Sequence, residues 1–251
     1  MDTDIKKGLM GVTVDETSVS KVMPEINSLP YRGYAAQDLC KKCKFEEVAY
    51  LILNGELPNK KQLRDFERQE RRERRLSKTL LQDIKNFPKK AHPMDVARTA
   101  VSSMGLEDKE TKDNSAKANM RKIMRIFAKT PVALAAFYRS RKGKKIISPK
   151  NNLSFSENFF YMCFGKVPTK DIVKAFDVSL ILYAEHSFNV STFTARTITS
   201  SLSDIHGAIT GAIASLKGPL HGGANEEVMH MMNKIKKPEN ALRWINKALD
   251  N

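Results

Sequence analysis

A run of eighteen apolar residues is missing from this chain, and with it any segment able to span a bilayer as a helix. The basic-then-apolar plan of a secretory signal is missing too, since the chain opens Met1-Asp2-Thr3-Asp4. These absences predict a soluble, cytoplasmic protein with no membrane partner. Cysteine is scarce. The three present, Cys40, Cys43 and Cys163, cannot all pair, and 251 residues bury enough core to need no disulfide. Cys40 and Cys43 form a CxxC, but no second pair completes a zinc site, so half-buried thiols at a helix end are expected. No other His, Cys, Asp or Glu grouping has metal-ligand spacing, and no metal is expected. Acidic residues are in deficit, 28 against 43 basic ones, for a net charge of +15. Such a field attracts polyanions: nucleic acid, acidic membranes or phosphorylated ligands. The densest cluster, residues 68–75, interleaves glutamates with its arginines and has no helix-turn-helix, zinc-finger or aromatic stacking motif beside it. It reads as a solvated helix with ion pairs, and no nucleic-acid partner is expected.

What is present is overwhelmingly helical. Residues 11–22 alternate in part, with Val12, Val14, Val19 and Val22, and predict a short hairpin; no convincing strand follows. Residues 45–53 carry apolar groups at helical spacing and stop at Asn54-Gly55, a C-terminal cap pair. Further helices are expected from Asn59 through the arginine cluster, over residues 76–84, and from His92-Pro93, where proline's missing donor is harmless. A long helix over 115–142 should be kinked by Pro131. Helices are also predicted over 153–164, 169–185, 191–200, 204–216, 224–236 and 239–249. His92 reads as a helix-start residue, His206 as part of a packing helix, and His230, among Met229, Met231 and Met232, as core-facing. Gly207 and Gly211 lie in a helical pattern and are no phosphate loop. Residues 107–114, all charged, small or polar, are expected to be a flexible surface loop.

Two histidines stand apart. Gly218-Pro219-Leu220-His221-Gly222-Gly223-Ala224-Asn225 puts His221 on a turn with little neighbouring bulk, where three glycines would leave room for a ligand. A neutral imidazole on a rigid loop can donate to an oxygen on which negative charge develops. His186 ends an apolar helix in Tyr183-Ala184-Glu185-His186-Ser187-Phe188-Asn189-Val190-Ser191, and spacing alone makes it a structural histidine satisfied by Asn189 or Ser191.

Taken together, these strings resemble the citrate synthase family, and more closely its 2-methylcitrate synthase branch, the type II-like citrate synthases included. Pro24-Glu25-Ile26-Asn27-Ser28-Leu29-Pro30-Tyr31-Arg32-Gly33-Tyr34, Phe45-Glu46-Glu47-Val48-Ala49-Tyr50-Leu51 and Ala91-His92-Pro93-Met94-Asp95-Val96-Ala97-Arg98 agree, in the family's order. The resemblance implies an all-α fold: a multihelical large domain with a short N-terminal β-hairpin over residues 1–217, and only the start of a small, CoA-side domain over 218–251. It implies an acyltransferase that condenses oxaloacetate with acetyl-CoA or propionyl-CoA to a tricarboxylate and releases CoA, the acyl-CoA being co-substrate and no cofactor being needed. It gives His221 the thioester oxygen and His186 and Arg74 the oxaloacetate. Ser191, with Asn189 nearby, would fix the tautomer of His221. A homodimer is implied as well. Family members continue past the helix matching Trp244 with a glycine-phenylalanine-glycine-histidine segment, an aspartate base and several arginines, none of which is present. The expectation is an incomplete fragment with negligible activity on its own. A non-catalytic helical scaffold or regulatory subunit derived from this fold is the alternative.

Overall fold

The computed structural model describes Lys6 and residues 11–249. Among these, twelve α-helices and one two-stranded sheet form, and no helix is long and apolar enough to cross a membrane. The sheet does not lie where residue alternation predicts it. Residues 12–17 form no strand, and the strands are β1 (Pro30–Tyr31) and β2 (Tyr34–Ala35), paired antiparallel around Arg32 and Gly33, both at positive φ. The alternating valines have no facing strand to bury them: Val12, Val14 and Val22 remain exposed. Side-chain alternation needs a partner surface before it becomes a hairpin.

The chain divides into two compact units, Met1–Arg64 with Lys174–Phe188, and Asp65–Val173 with Asn189–Asn251. In the first, β1 and β2 precede α1 (Ala36–Lys42) and α2 (Phe45–Asn54). Gly55, at φ +94°, closes α2 in the left-handed conformation expected of it. Tyr31 is the pin of this unit. Its ring is fully buried and its hydroxyl donates to the carbonyls of Ile181 (3.0 Å) and Leu182 (3.1 Å), at the end of α8 (Lys170–Leu182). Burial pushes its phenol up to about 12, which keeps it a donor. Asp177 accepts the first backbone N–H of α2, from Phe45, at 3.0 Å, and Lys174 donates to the carbonyls of Cys40 and Cys43. The two thiols are half-buried, as their isolation from other ligands predicts.

The larger unit is built around α6 (Ala116–Arg141), with α4 (Lys78–Asn86), α5 (Pro93–Glu107), α7 (Phe155–Phe164) and α10 (Ile205–Leu216) packed against it. Leu80, Ile84, Val96, Ala100, Val132, Ala136, Phe137 and Met162 form its core. Side-chain caps open these helices: Ser77 for α4, Ser115 for α6, Ser154 for α7 and Asp204 for α10. His92 caps α5, its Nδ1 accepting from Met94 N–H at 3.2 Å. Helix α6 continues through Pro131 over 26 residues. Close approach explains one glycine of α10, Gly211. A Cβ at Gly211 would sit 2.3 Å from Ile198 of α9 (Val190–Ser200), so the two helices can touch only without it.

Three expectations fail here, each for a physical reason. The loop at 107–114 is a clasp instead of a loose segment. Arg125 holds both Asp108 oxygens (2.9 and 3.0 Å) and Glu110 (2.7 Å), Arg121 adds a second grip on Glu110, and fully buried Lys122 donates to the Asp113 carbonyl at 2.6 Å. The two guanidiniums hold the Glu110 carboxyl down at about 2. His230 does not face a core: its side chain is 55% exposed on α11 (Gly223–Ile235), as are Met229 and Met232. Nothing among the described residues covers that face. Arg74 is not free to reach a substrate. It is 1% exposed, its Nε and Nη2 donate to Glu70 at 2.7–3.0 Å, and its Nη1 donates to the carbonyls of Lys150 (2.7 Å) and Leu153 (3.0 Å).

The ion pair of Arg74 with Glu70 is therefore a structural strut, and removing either member strands a buried charge. Arg74→Ala or Glu70→Ala should each cost about 3–5 kcal/mol, while joint replacement by Met and Leu should cost distinctly less. Urea unfolding of the three variants measures this; equal losses in all three would contradict it.

His206 supplies a second expectation. It is 2% exposed, with Asp108, Asp204, Lys122 and Arg125 as its charged neighbours, and burial pulls its pKa below the ordinary 6.5 in spite of the two carboxylates. Folding thus favours the neutral ring. The unfolded chain takes up a proton near 6.5 that the folded chain refuses, so this stability is present above 6.5 and lost as pH falls from there through the lower folded value. His206→Gln should flatten the change in unfolding free energy between pH 8 and pH 5; an unchanged slope would show that other groups cause it.

Candidate active site around His221

The turn that carries His221 is tighter than its glycines suggest. His221 N–H and Gly223 N–H both donate to the Gly218 carbonyl, at 2.9 and 3.1 Å. A Cβ at Gly222 would lie 2.5 Å from the Leu216 carbonyl oxygen, and one at Gly223 would lie 2.9 Å from that of Gly218. The glycines are there so that backbone can touch backbone. Backbone contact is thus a reason for these two glycines that the sequence did not suggest.

That imidazole is half-buried and sits at the N-terminus of α9. Asn189 caps the helix, its Oδ1 accepting from Thr192 N–H at 2.8 Å and from Ser191 Oγ at 2.6 Å. Ser191 meets His221 twice: its Oγ lies 3.0 Å from Nε2, and its backbone N–H donates to Nε2 at 3.3 Å. The second contact fixes the ring. A hydroxyl can donate or accept, but a backbone N–H only donates, so Nε2 must offer a lone pair and the neutral ring carries its proton on Nδ1. Among the described residues Nδ1 has no partner. The arrangement thus presents one N–H of a neutral imidazole, held at its far side by a helix terminus. Hydrogen bonding can stabilise an oxyanion from there.

Two links brace the turn from α5. Lys217, four residues before His221, donates to both oxygens of Asp95 (2.9 and 2.7 Å), holding that carboxyl below its usual range. Glu226, five residues after, lies 2.9 Å from His92 Nε2 and is lowered likewise by His92. Because His92 Nδ1 already accepts from Met94, Nε2 bears the proton and donates. The sequence reading took His92 as a helix-start residue and missed this second task. Lys217, Asp95 and Glu226 were missed altogether, since ion pairs 122 and 134 residues apart leave no local signal.

His186 lies in the first compact unit. It is exposed on the turn after α8, where Ser20 Oγ accepts from Ser187 N–H (2.7 Å) and donates to Glu185 (3.2 Å), with Ser187 at φ +56°. Arg74 is spent on the fold, as described. No group of three or more His, Cys, Asp or Glu among the described residues could hold a metal ion.

Known proteins resemble this chain over nearly its whole length. The family described as citrate synthase, C-terminal domain, matches residues 8–251. A 2-methylcitrate synthase of Mycobacterium tuberculosis is 51% identical over 98% of this chain and 62% of its own length. 2-Methylcitrate synthase 2 of Corynebacterium glutamicum is 54% identical over 99% of this chain and 66% of its own. Among solved structures, the citrate synthase of Thermoplasma acidophilum, in ternary complex with carboxymethyl coenzyme A and oxaloacetate, superposes with a TM-score of 0.89. It is 29% identical over 97% of this chain and 64% of that one. The chain therefore spans a little under two thirds of the length of such relatives, and by sequence and by fold it belongs to the citrate synthase family.

Proposed function

We propose that this chain supplies the enolate-stabilising part of a 2-methylcitrate or citrate synthase, which joins oxaloacetate to propionyl-CoA or acetyl-CoA and hydrolyses the thioester to release CoA. The observation that carries this reading is the Nδ1–H of His221, fixed in that tautomer by Ser191 N–H and without a partner of its own. Condensation begins when a base takes a proton from the carbon beside the thioester carbonyl. The electron pair moves onto the carbonyl oxygen, which becomes an enolate; His221 donates to that oxygen as its charge grows. The enolate carbon then attacks the ketone of oxaloacetate, and water cleaves the resulting thioester. The base and the group that protonates the ketone are not assigned to residues described here.

In this reading His186 binds oxaloacetate, and Ser191 with Asn189 orients His221. Residues 1–217 would be the large helical part, and residues 218–251 the start of the CoA-side part. Arg74 is left out, because its guanidinium is buried and donates to Glu70 and to the Lys150 and Leu153 carbonyls. The names of the relatives, both synthases of this kind, support the reaction class, with a lean towards propionyl-CoA. The reading also takes the working unit as a cytoplasmic homodimer; exposed Val228, Met229, Met232, Leu242 and Ile245, on α11 and α12 (Ala241–Leu249), support further protein contact there.

A single donor of this type contributes about a hundredfold to a thousandfold in rate. In a full-length synthase built on these residues, His221→Gln should lower kcat with either thioester by about that factor, while KM for oxaloacetate changes little. Release of CoA thiol measures it. Turnover unchanged by the substitution, or absent with both thioesters in the unsubstituted enzyme, would overturn the proposal.

The braces make a separate expectation. Exposed ion pairs are individually weak in water, so Asp95→Asn or His92→Gln alone should alter amide exchange of residues 217–223 only slightly. The double variant should speed that exchange several-fold, with the core of α6 unaffected. Uniform acceleration across the protein would mean that the links serve overall stability only.

A further inference from the structure

The arginine cluster of α3 (Lys60–Glu73) and the residues after it was expected to be a solvated helical face with neighbouring ion pairs. Only part of it is. Arg68 pairs with Asp65 and Arg71 with Glu67, but Arg72, Arg75 and Lys78 have no hydrogen bond or ion pair among the described residues. All three line a cavity of about 840 Å³ in the larger unit, together with Arg71, whose Nε is buried and unpartnered. No Asp or Glu lines that cavity. Glu70, beside the cluster in sequence, is already consumed by Arg74.

The opposite wall is the segment between α6 and α7. Arg74 ties that segment down through the Lys150 and Leu153 carbonyls, so the cavity is held open by a buried strut. Ile146, Ile147, Pro149 and Leu81 give it a half-buried aliphatic lining, and no aromatic ring contributes. An adjoining cavity of about 460 Å³ shares Ile146 and adds Lys85, Lys144 and Lys145, so the positive field continues past the first opening.

Unpaired cations around a fixed aliphatic hollow suit a ligand with a multiply charged anionic head and an apolar body. The head meets guanidiniums that owe no charge elsewhere. The body meets Leu and Ile, with no flat ring on which a nucleobase could stack. We propose that this cavity is a binding site for an aliphatic diphosphate, a branched or straight hydrocarbon chain ending in a pyrophosphate group. The inference does not depend on the synthase reading, since none of these residues belongs to the His221 cluster.

The test is calorimetric titration of the 251-residue chain with geranyl diphosphate, inorganic pyrophosphate and ATP as separate probes. Geranyl diphosphate is expected to bind, with pyrophosphate at least about tenfold weaker for lack of an apolar body, and ATP weaker also. Arg72→Ala with Arg75→Ala should weaken geranyl diphosphate at least about tenfold, because charge-assisted bonds to phosphate are among the strong ones. Neither side chain has a partner in the fold, so the double variant should keep its circular dichroism and melting temperature; His221→Gln should bind the probe unchanged. Absence of binding, ATP or pyrophosphate binding as tightly as geranyl diphosphate, or a double variant that binds normally would each overturn the proposal.

Discussion

One backbone amide governs the chemistry available to this chain. Ser191 N–H belongs to the first turn of α9, where no helical carbonyl can reach it, and His221 Nε2 is the acceptor that satisfies it. Satisfying that donor requires a lone pair on Nε2, and the lone pair in turn sends the ring's proton to Nδ1. A requirement of helix geometry thereby becomes a statement about which side of an imidazole can donate. The hydroxyl of the same serine could not have done this alone, because its proton is also wanted by Asn189.

The supports of that contact are spread through the larger unit. Helix α9 is positioned by its close packing on α10, which Gly211 permits, and α10 leads directly into the turn of His221. Helix α5 reaches the same turn through Asp95 and His92. Each ion pair is weak in water. Their value lies in flanking the histidine on both sides, so that the turn has few ways to rotate while its ends are held.

Much of this is legible in the sequence. Helix boundaries were readable at Ser115, where a helix starts, and at Gly55, where one ends, because those signals are local. The pairing of Ser191 with His221 was legible only through family resemblance, since thirty residues separate them. What could not be read is of one kind. The clasp at 107–114, the strut at Arg74 and the braces on Lys217 and Glu226 join polar groups distant in sequence, and polar residues look alike whether they meet water or each other. The hairpin failed for the converse reason: Val12 and Val14 have the right spacing but no sheet to join. Charge was misjudged in both directions, Arg74 being deeper in the fold, and Arg72 and Arg75 freer, than their shared cluster suggested.

The packing around Gly222 has a consequence for how such a chain can change over generations. Catalytic residues are usually thought of as the fragile positions, yet this glycine touches no substrate in any reading given above. Even a methyl group at that place would press on the last turn of α10 and tilt the imidazole out of line with α9. A lineage could thus keep every reacting atom and still lose its chemistry through one small, apparently harmless replacement in the connecting backbone.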